Sequence, residues 1–195
     1  MSLQKSLGRA LLSFYKRRKQ ASSDLSLENC LDAARATASR TKYCFLVTSG
    51  EHGWPSARLV EPICDLDEFD VYIGTNPALR KIREISACAN VTLAFGNPSE
   101  KANLIIYGTA TFSVEPEIKR RYWKSTWRLF FSSGPNGNDY AVVKVRAERM
   151  ELLSFRRNVI PEPFGLCPVL LQRTPQGWTM QAQQPLPADA DLPRG

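Results

Sequence analysis

The sequence predicts a mainly β, α+β domain: an antiparallel barrel with helices packed at its ends or seams. Six or more short apolar runs recur between turn signals, while only three stretches inside the domain carry helical spacing. The turns are built from Gly, Pro and Asn. No G-x-G-x-x-G, phosphate-loop or G-x-S-x-G motif marks a doubly wound α/β fold.

Ser26 is placed to N-cap a helix running to about Ser39, with Glu28 and Asp32 near its positive end and Leu27, Cys30, Leu31 and Ala34 on one face. Lys42–Ser49 reads as a first strand, aromatic and β-branched. Gly50-Glu51-His52-Gly53 turns it into a second, Trp54–Ile63. Asp65-Leu66-Asp67-Glu68 is a polar connection to a third, Phe69–Thr75. Asn76-Pro77 opens a helix over about Ala78–Cys88, with Pro where a missing N–H costs nothing. Val91–Phe95 and Leu104–Glu115 follow as strands, and Gly108 marks a bulge or a close approach. Glu115-Pro116-Glu117 starts a helix expected to reach Phe131, and Ser132–Asn138 is a loop. Tyr140–Phe155 holds the sixth strand. Thr174-Pro175-Gln176-Gly177 joins a hairpin of Val169–Arg173 and Trp178–Gln183. The expected organisation is a basic extension over 1–25, a domain over 26–155, an extension with the hairpin over 156–184 and a disordered tail over 185–195.

The chain has 195 residues, 26 Lys+Arg and 19 Asp+Glu, for a net charge of +7. Residues 1–20 contain Lys5, Arg9, Lys16, Arg17, Arg18 and Lys19 and no acid, which accounts for +6 of it. The domain itself is therefore near neutral, which argues against a specific nucleic-acid surface. The extension reads as a solvated, partly helical segment. A weak contact of residues 5–19 with an anionic surface is the sharper alternative. The apolar runs are too short for a transmembrane helix.

One histidine, His52, excludes a two-His zinc site, and its turn context favours an exposed side chain over a catalytic one. The five cysteines lack a C-x-x-C pair. Cys44, Cys64 and Cys88 lie in or beside apolar runs, as buried thiols of a reducing, cytoplasmic compartment do. No metal site is expected.

Chemistry concentrates in Gly74-Thr75-Asn76-Pro77-Ala78-Leu79-Arg80-Lys81. A strand-end hydroxyl, a helix start and an adjacent Arg-Lys pair together make a phosphate grip. The competing reading is a helix with a solvated basic face. Arg58, in mid-strand, either faces the same anion or lies on an edge. Tyr122, Trp123, Trp127, Phe130 and Phe131 interleave with Lys119, Arg120, Arg121, Lys124 and Arg128. That pattern fits burial or a subunit interface better than base stacking.

Gly53-Trp54-Pro55, Arg58-Leu59-Val60, Gly74-Thr75-Asn76 and Arg80-Lys81 resemble, in order and spacing, the FMN-binding split-barrel family of pyridoxamine 5′-phosphate oxidase. The stretch from Arg121-Tyr122-Trp123 to Asp139-Tyr140-Ala141-Val142-Val143-Lys144-Val145 is similar to its general stress protein branch. The resemblance covers roughly residues 26–155. It implies a six-stranded antiparallel split β-barrel with flanking helices that dimerises, holding FMN between the subunits. It assigns Arg58, Leu59 and Val60 to the strand along the flavin, Gly74 and Thr75 to the strand end, and Arg80 and Lys81 to the phosphate. Asn103 falls where the oxidases place a Gln against the flavin.

The departures are as informative. Ile63 stands where the oxidases have a Lys. Tyr122 matches a substrate-phosphate Tyr, but Thr126 and Phe130 replace its partners. Leu153 replaces a flavin-contacting Trp. No His follows His52, which also removes the haem-degrading relatives. The resemblance therefore implies an FMN protein with flavin-dependent redox chemistry on an unidentified substrate, with NAD(P)H as a candidate hydride source. A non-catalytic flavin carrier or stress sensor and a deazaflavin-dependent reductase are the alternatives. FAD is a weaker cofactor candidate, and genuine pyridoxamine-phosphate oxidation is disfavoured. No side chain stands out as a general acid or base, so no catalytic residue is assigned.

Overall fold

A computed structural model describes residues 3–50 and 53–181. The turn histidine His52 and the tail expected over 185–195 lie outside the described residues. Helix α1 (Leu3–Ala21) precedes α2 (Leu27–Arg40), β1 (Cys44–Ser49), β2 (Pro55–Val60), β3 (Pro62–Cys64) and β4 (Val71–Thr75). Then come α3 (Arg80–Ala87), β5 (Asn90–Asn97), β6 (Ala102–Ser113), α4 (Pro116–Arg121), β7 (Ala141–Ser154), β8 (Val169–Thr174) and β9 (Gly177–Gln181).

Among the described residues the strands form one nine-stranded sheet, in the order β2-β1-β5-β6-β7-β4-β3, with β8 on β7 and β9 on β8. All the pairings are antiparallel. The two ends of the path, β2 and β3, are halves of the single strand expected over 54–63. Pro62 has no N–H to donate to a ladder. At Glu61 the segment leaves β1 and begins to pair with β4. The sheet thus closes on itself as the six-stranded split barrel, and the β8–β9 hairpin extends it.

The interior is filled by alternate residues: Leu46 from β1, Leu93 and Phe95 from β5, Leu104 and Ile106 from β6, and Val143 and Val145 from β7. Along β7 from Val143 onward the buried positions are Val143, Val145 and Ala147, then Met150, Leu152 and Ser154. The parity changes because the register slips between Tyr107 and Gly108: Tyr107 faces Arg149, and Gly108 faces Ala147. Glu148 is the extra residue of a bulge, which lets both halves of this long strand present their apolar side to one core. Gly108 is required there, because a Cβ would lie 2.1 Å from the Arg146 carbonyl oxygen.

The Ser26 hydroxyl caps α2 by accepting from the Asn29 amide at 3.3 Å. The helix buries Cys30, Ala33, Ala34, Thr37 and Ala38. These small side chains let it lie close against the barrel. Burial pushes the Cys30 thiol up to about 11 and the Cys44 thiol up to about 12, so neither is a ready nucleophile. The last turns of α1 are tied to the segment after β7: Lys19 Nζ donates to Asn158 Oδ1 and Gln20 Nε2 to the Ile160 carbonyl, both at 2.6 Å.

The helix expected over 117–131 is broken. α4 ends at Arg121, and a 3-10 helix occupies Ser125–Leu129. The Tyr122 carbonyl accepts from the Tyr140 hydroxyl at 2.8 Å. Trp123 meets the Tyr140 ring edge-on at 5.0 Å. Packing these rings onto β4 and β7 takes precedence over helix propagation, and Lys124 is extended. Tyr72, Trp127, Phe131, Tyr140 and Val142 make a second core here, with Tyr122 and Trp123 against it. The aromatic residues of this segment are therefore mostly packed, whereas Phe130 is exposed.

Candidate functional site

β4 delivers Gly74 and Thr75 to one end of the barrel. The helix does not follow at once, as the sequence led us to expect. Asn76 Oδ1 accepts from the Ala78 amide at 2.9 Å, and the Leu79 amide donates to the Asn76 carbonyl at 3.2 Å. This side-chain-closed turn satisfies the local backbone and delays α3 to Arg80. Pro77 is thus a turn residue, not a first-turn helical one.

A cavity of about 510 Å³ opens beside this turn. Leu59, Val60, Trp127, Phe130 and Phe131 give it apolar walls, and Thr75, Asn76, Lys81 and Glu61 give it polar groups. Its size and mixed lining suit a small organic ligand. Trp127 is fixed by its Nε1–H, which donates to Glu61 Oε2 at 2.7 Å, while Lys124 Nζ lies 3.1 Å from Glu61 Oε1. Burial works to raise the Glu61 pKa, but the Trp127 and Lys124 hydrogen bonds outweigh it and hold the carboxyl below its ordinary value. The Trp127 ring lies flush on Gly74, where a Cβ would come within 2.4 Å of it. Glycine at 74 is what admits this wall.

Thr75 is 2% exposed, and its hydroxyl has no hydrogen-bond partner among the described residues. An unsatisfied buried hydroxyl costs about 1–3 kcal/mol unless a ligand or water meets it. Lys81 lines the same cavity and pairs with no carboxylate among the described residues. Burial first, and the Arg58 charge second, push its pKa down. An anion in the cavity would oppose both effects by favouring the charged lysine.

Arg58 and Arg80 converge on a residue that sequence reasoning passed over, Glu84. Glu84 is 5% exposed. Its Oε2 accepts from Arg58 Nη2 at 2.5 Å and from the Thr48 hydroxyl at 2.6 Å. Arg80 Nε lies 2.9 Å from Oε1, as an ion pair without hydrogen-bond alignment. Ser56 Oγ accepts from both guanidiniums at 2.8 Å. Of the expected ligand-binding residues, Leu59, Val60, Gly74, Thr75 and Lys81 share the cavity. Arg58 and Arg80 do not line it, but each is next in sequence to a residue that does, and the Arg58 charge acts on Lys81. Asn103 is elsewhere: it lies on β6, opposite Gly96 and Leu153 in register, and does not line the cavity. Glu84 left a trace in the sequence, being four residues after Arg80 on one helix. Glu61 left none, because its role depends on the strand switch.

A barrel closed through one divided strand, with a polar-ended cavity at the seam, defines the split-barrel class. The pyridoxamine 5′-phosphate oxidase family model matches residues 31–154, and the chain belongs to that family. Solved structures show the same fold. A pyridoxamine 5′-phosphate oxidase-related, FMN-binding protein from Nostoc punctiforme is 17% identical with a TM-score of 0.61, over 79% of this chain and 94% of that one. A Clostridium acetobutylicum protein related to general stress protein 26 is 19% identical with a TM-score of 0.60, over 66% and 91%. General stress protein 26 from Bacillus anthracis is 15% identical with a TM-score of 0.55, over 63% and 92%. No curated protein matches the sequence. Among the described residues no helix is long and apolar enough to cross a membrane.

Proposed function

We propose that the chain is an FMN-binding protein whose cavity beside Gly74, Thr75 and Lys81 holds the flavin, with the phosphate at Lys81 and Arg80. The observation that carries this reading is the presence in one cavity of a buried Thr75 hydroxyl without a hydrogen-bond partner and a Lys81 without a carboxylate partner, both among the described residues. Leu59, Val60 and Trp127 offer apolar surface to a flat ring system. Family membership and the FMN-binding Nostoc relative support the choice of ligand. Bound FMN would supply two-electron redox chemistry, and this chain's residues would anchor its phosphate, orient its ring and exclude water from one side.

The reading includes a homodimer with the cofactor between subunits. On the outer face of the sheet, Phe45 and Leu59 are opposite each other in register and 51% and 59% exposed, with Val47 and Ala57 as the next pair. An apolar row of this kind beside the cavity suits a second subunit.

Pyridoxamine-phosphate oxidation remains disfavoured. Ile63 packs against the aromatic core instead of offering a cation, and Phe130 is 76% exposed. The test is a visible absorption spectrum of the purified protein, followed by FMN titration of wild type and Lys81→Ala. Bound flavin, and an affinity weakened by roughly tenfold or more in the variant, are expected for the loss of a charged phosphate contact. An affinity that Lys81→Ala leaves unchanged would overturn the assignment. NAD(P)H oxidation by the loaded protein then separates an oxidoreductase from a flavin carrier.

A further inference from the structure

We propose that Glu84 is the positioning residue of the anion site, and that it sets the site's charge for a single phosphate monoester; the inference rests on the flavin reading above. Three elements meet at this carboxylate. Thr48 comes from β1, Arg58 from β2 and Arg80 from α3, the helix that carries Glu84 itself. A carboxylate this buried is tolerated only when paired. Here Oε2 accepts two hydrogen bonds and Oε1 faces the Arg80 charge. Burial pushes the Glu84 carboxyl up, but the Thr48 hydroxyl and the two guanidiniums outweigh it and hold it ionised below its usual range.

The geometry leaves directed donors. Arg58 spends Nη1 on Thr48 and Nη2 on Ser56 and Glu84. Arg80 Nε is ion-paired with Glu84 Oε1 and Nη2 donates to Ser56, while Nη1 has no protein partner among the described residues. That side chain is 61% exposed, so without Glu84 and Ser56 nothing described here would hold it beside Lys81. Arg58, Arg80 and Lys81 against Glu84 leave a net charge of +2, and Glu61, which also lines the cavity, is cancelled by its ion pair with Lys124. A phosphate monoester carries close to −2 at neutral pH. The cluster is thus matched to a single terminal phosphate.

The experiment is FMN titration of the full chain by flavin-fluorescence quenching, with Glu84→Gln, Arg80→Ala, the double variant, and Lys81→Ala as a separate reporter. If Glu84 acts through the arginines, Glu84→Gln weakens binding roughly tenfold. Arg80→Ala then costs affinity in the wild-type background and little in the Glu84→Gln background, because neighbours in one network are not additive. A purely structural role for Glu84 would not produce that loss of coupling. Two results overturn the proposal. Glu84→Gln could bind FMN as tightly or more tightly, which would make the carboxylate only an opposing charge. Alternatively the full Arg80→Ala effect could persist without Glu84. Glu84→Gln keeps the side chain's size, and its thermal unfolding confirms that a folded protein is being titrated. If Lys81→Ala weakens binding while Glu84→Gln does not, the positioning role fails alone. If neither does, the flavin site itself is misplaced.

Discussion

At the residue scale, Glu84 is a buried acid held between cations next to the proposed anion site. Its folded-state pKa is depressed by Thr48, Arg58 and Arg80 acting against burial. The stability it contributes is therefore complete above the unfolded carboxylate value of about 4.3 and is lost as pH falls through the lower folded value. Unfolding followed from pH 7 to pH 3 should show wild type losing stability on that acid limb. Glu84→Gln should start less stable by about 3 kcal/mol, the cost of breaking a buried pair, and show a flatter limb. A limb equally steep in both would mean that other carboxylates, Glu61 among them, carry the acid sensitivity. At this scale the sequence was informative about what a phosphate needs: Thr75, Arg80 and Lys81 could be chosen by chemistry. It was silent on Glu61 and offered for Glu84 only its spacing from Arg80, because the other partners of both acids come from distant elements.

At the scale of elements, the register slip beside Gly108 does the most. Without it, Ala147 and Met150 could not both face the core, since they differ in parity along β7. A Cβ at residue 108 would run into the Arg146 carbonyl, which is backbone and cannot swing aside. Gly108→Ala should accordingly lower stability by about 1–3 kcal/mol, the usual cost of forced overpacking, as read by chemical denaturation. A neutral substitution would show that the two strands can part without loss. The sequence pointed to this glycine as a bulge or close approach, because an isolated Gly in a strand has few other reasons to be there. It misled on the helix expected to reach Phe131. Spacing there signalled a continuous helix, but Tyr140, on the far side of a loop, captures the Tyr122 carbonyl. It misled likewise at Asn76–Leu79, where an Asn side chain closes a turn that periodicity reads as helix.

At the scale of the whole molecule, the barrel's seam and its cavity are one feature. The divided strand that closes the sheet contributes Leu59, Val60 and Glu61 to the cavity, and β4, which receives its second half, contributes Gly74 and Thr75. Local signals alone could name the strands, but they could not say that the second strand splits its pairing. The family resemblance supplied that topology, and the structure gives its cause in Pro62. The account's central claim is that this cavity grips a flavin by its phosphate. The most direct measurement is a parallel titration of the full chain with FMN and with riboflavin, which share a ring and differ in the phosphate. The account predicts that FMN binds at least tenfold more tightly, an advantage of about 1.4 kcal/mol or more, and that Lys81→Ala removes most of the difference. Equal affinity for the two ligands would contradict it.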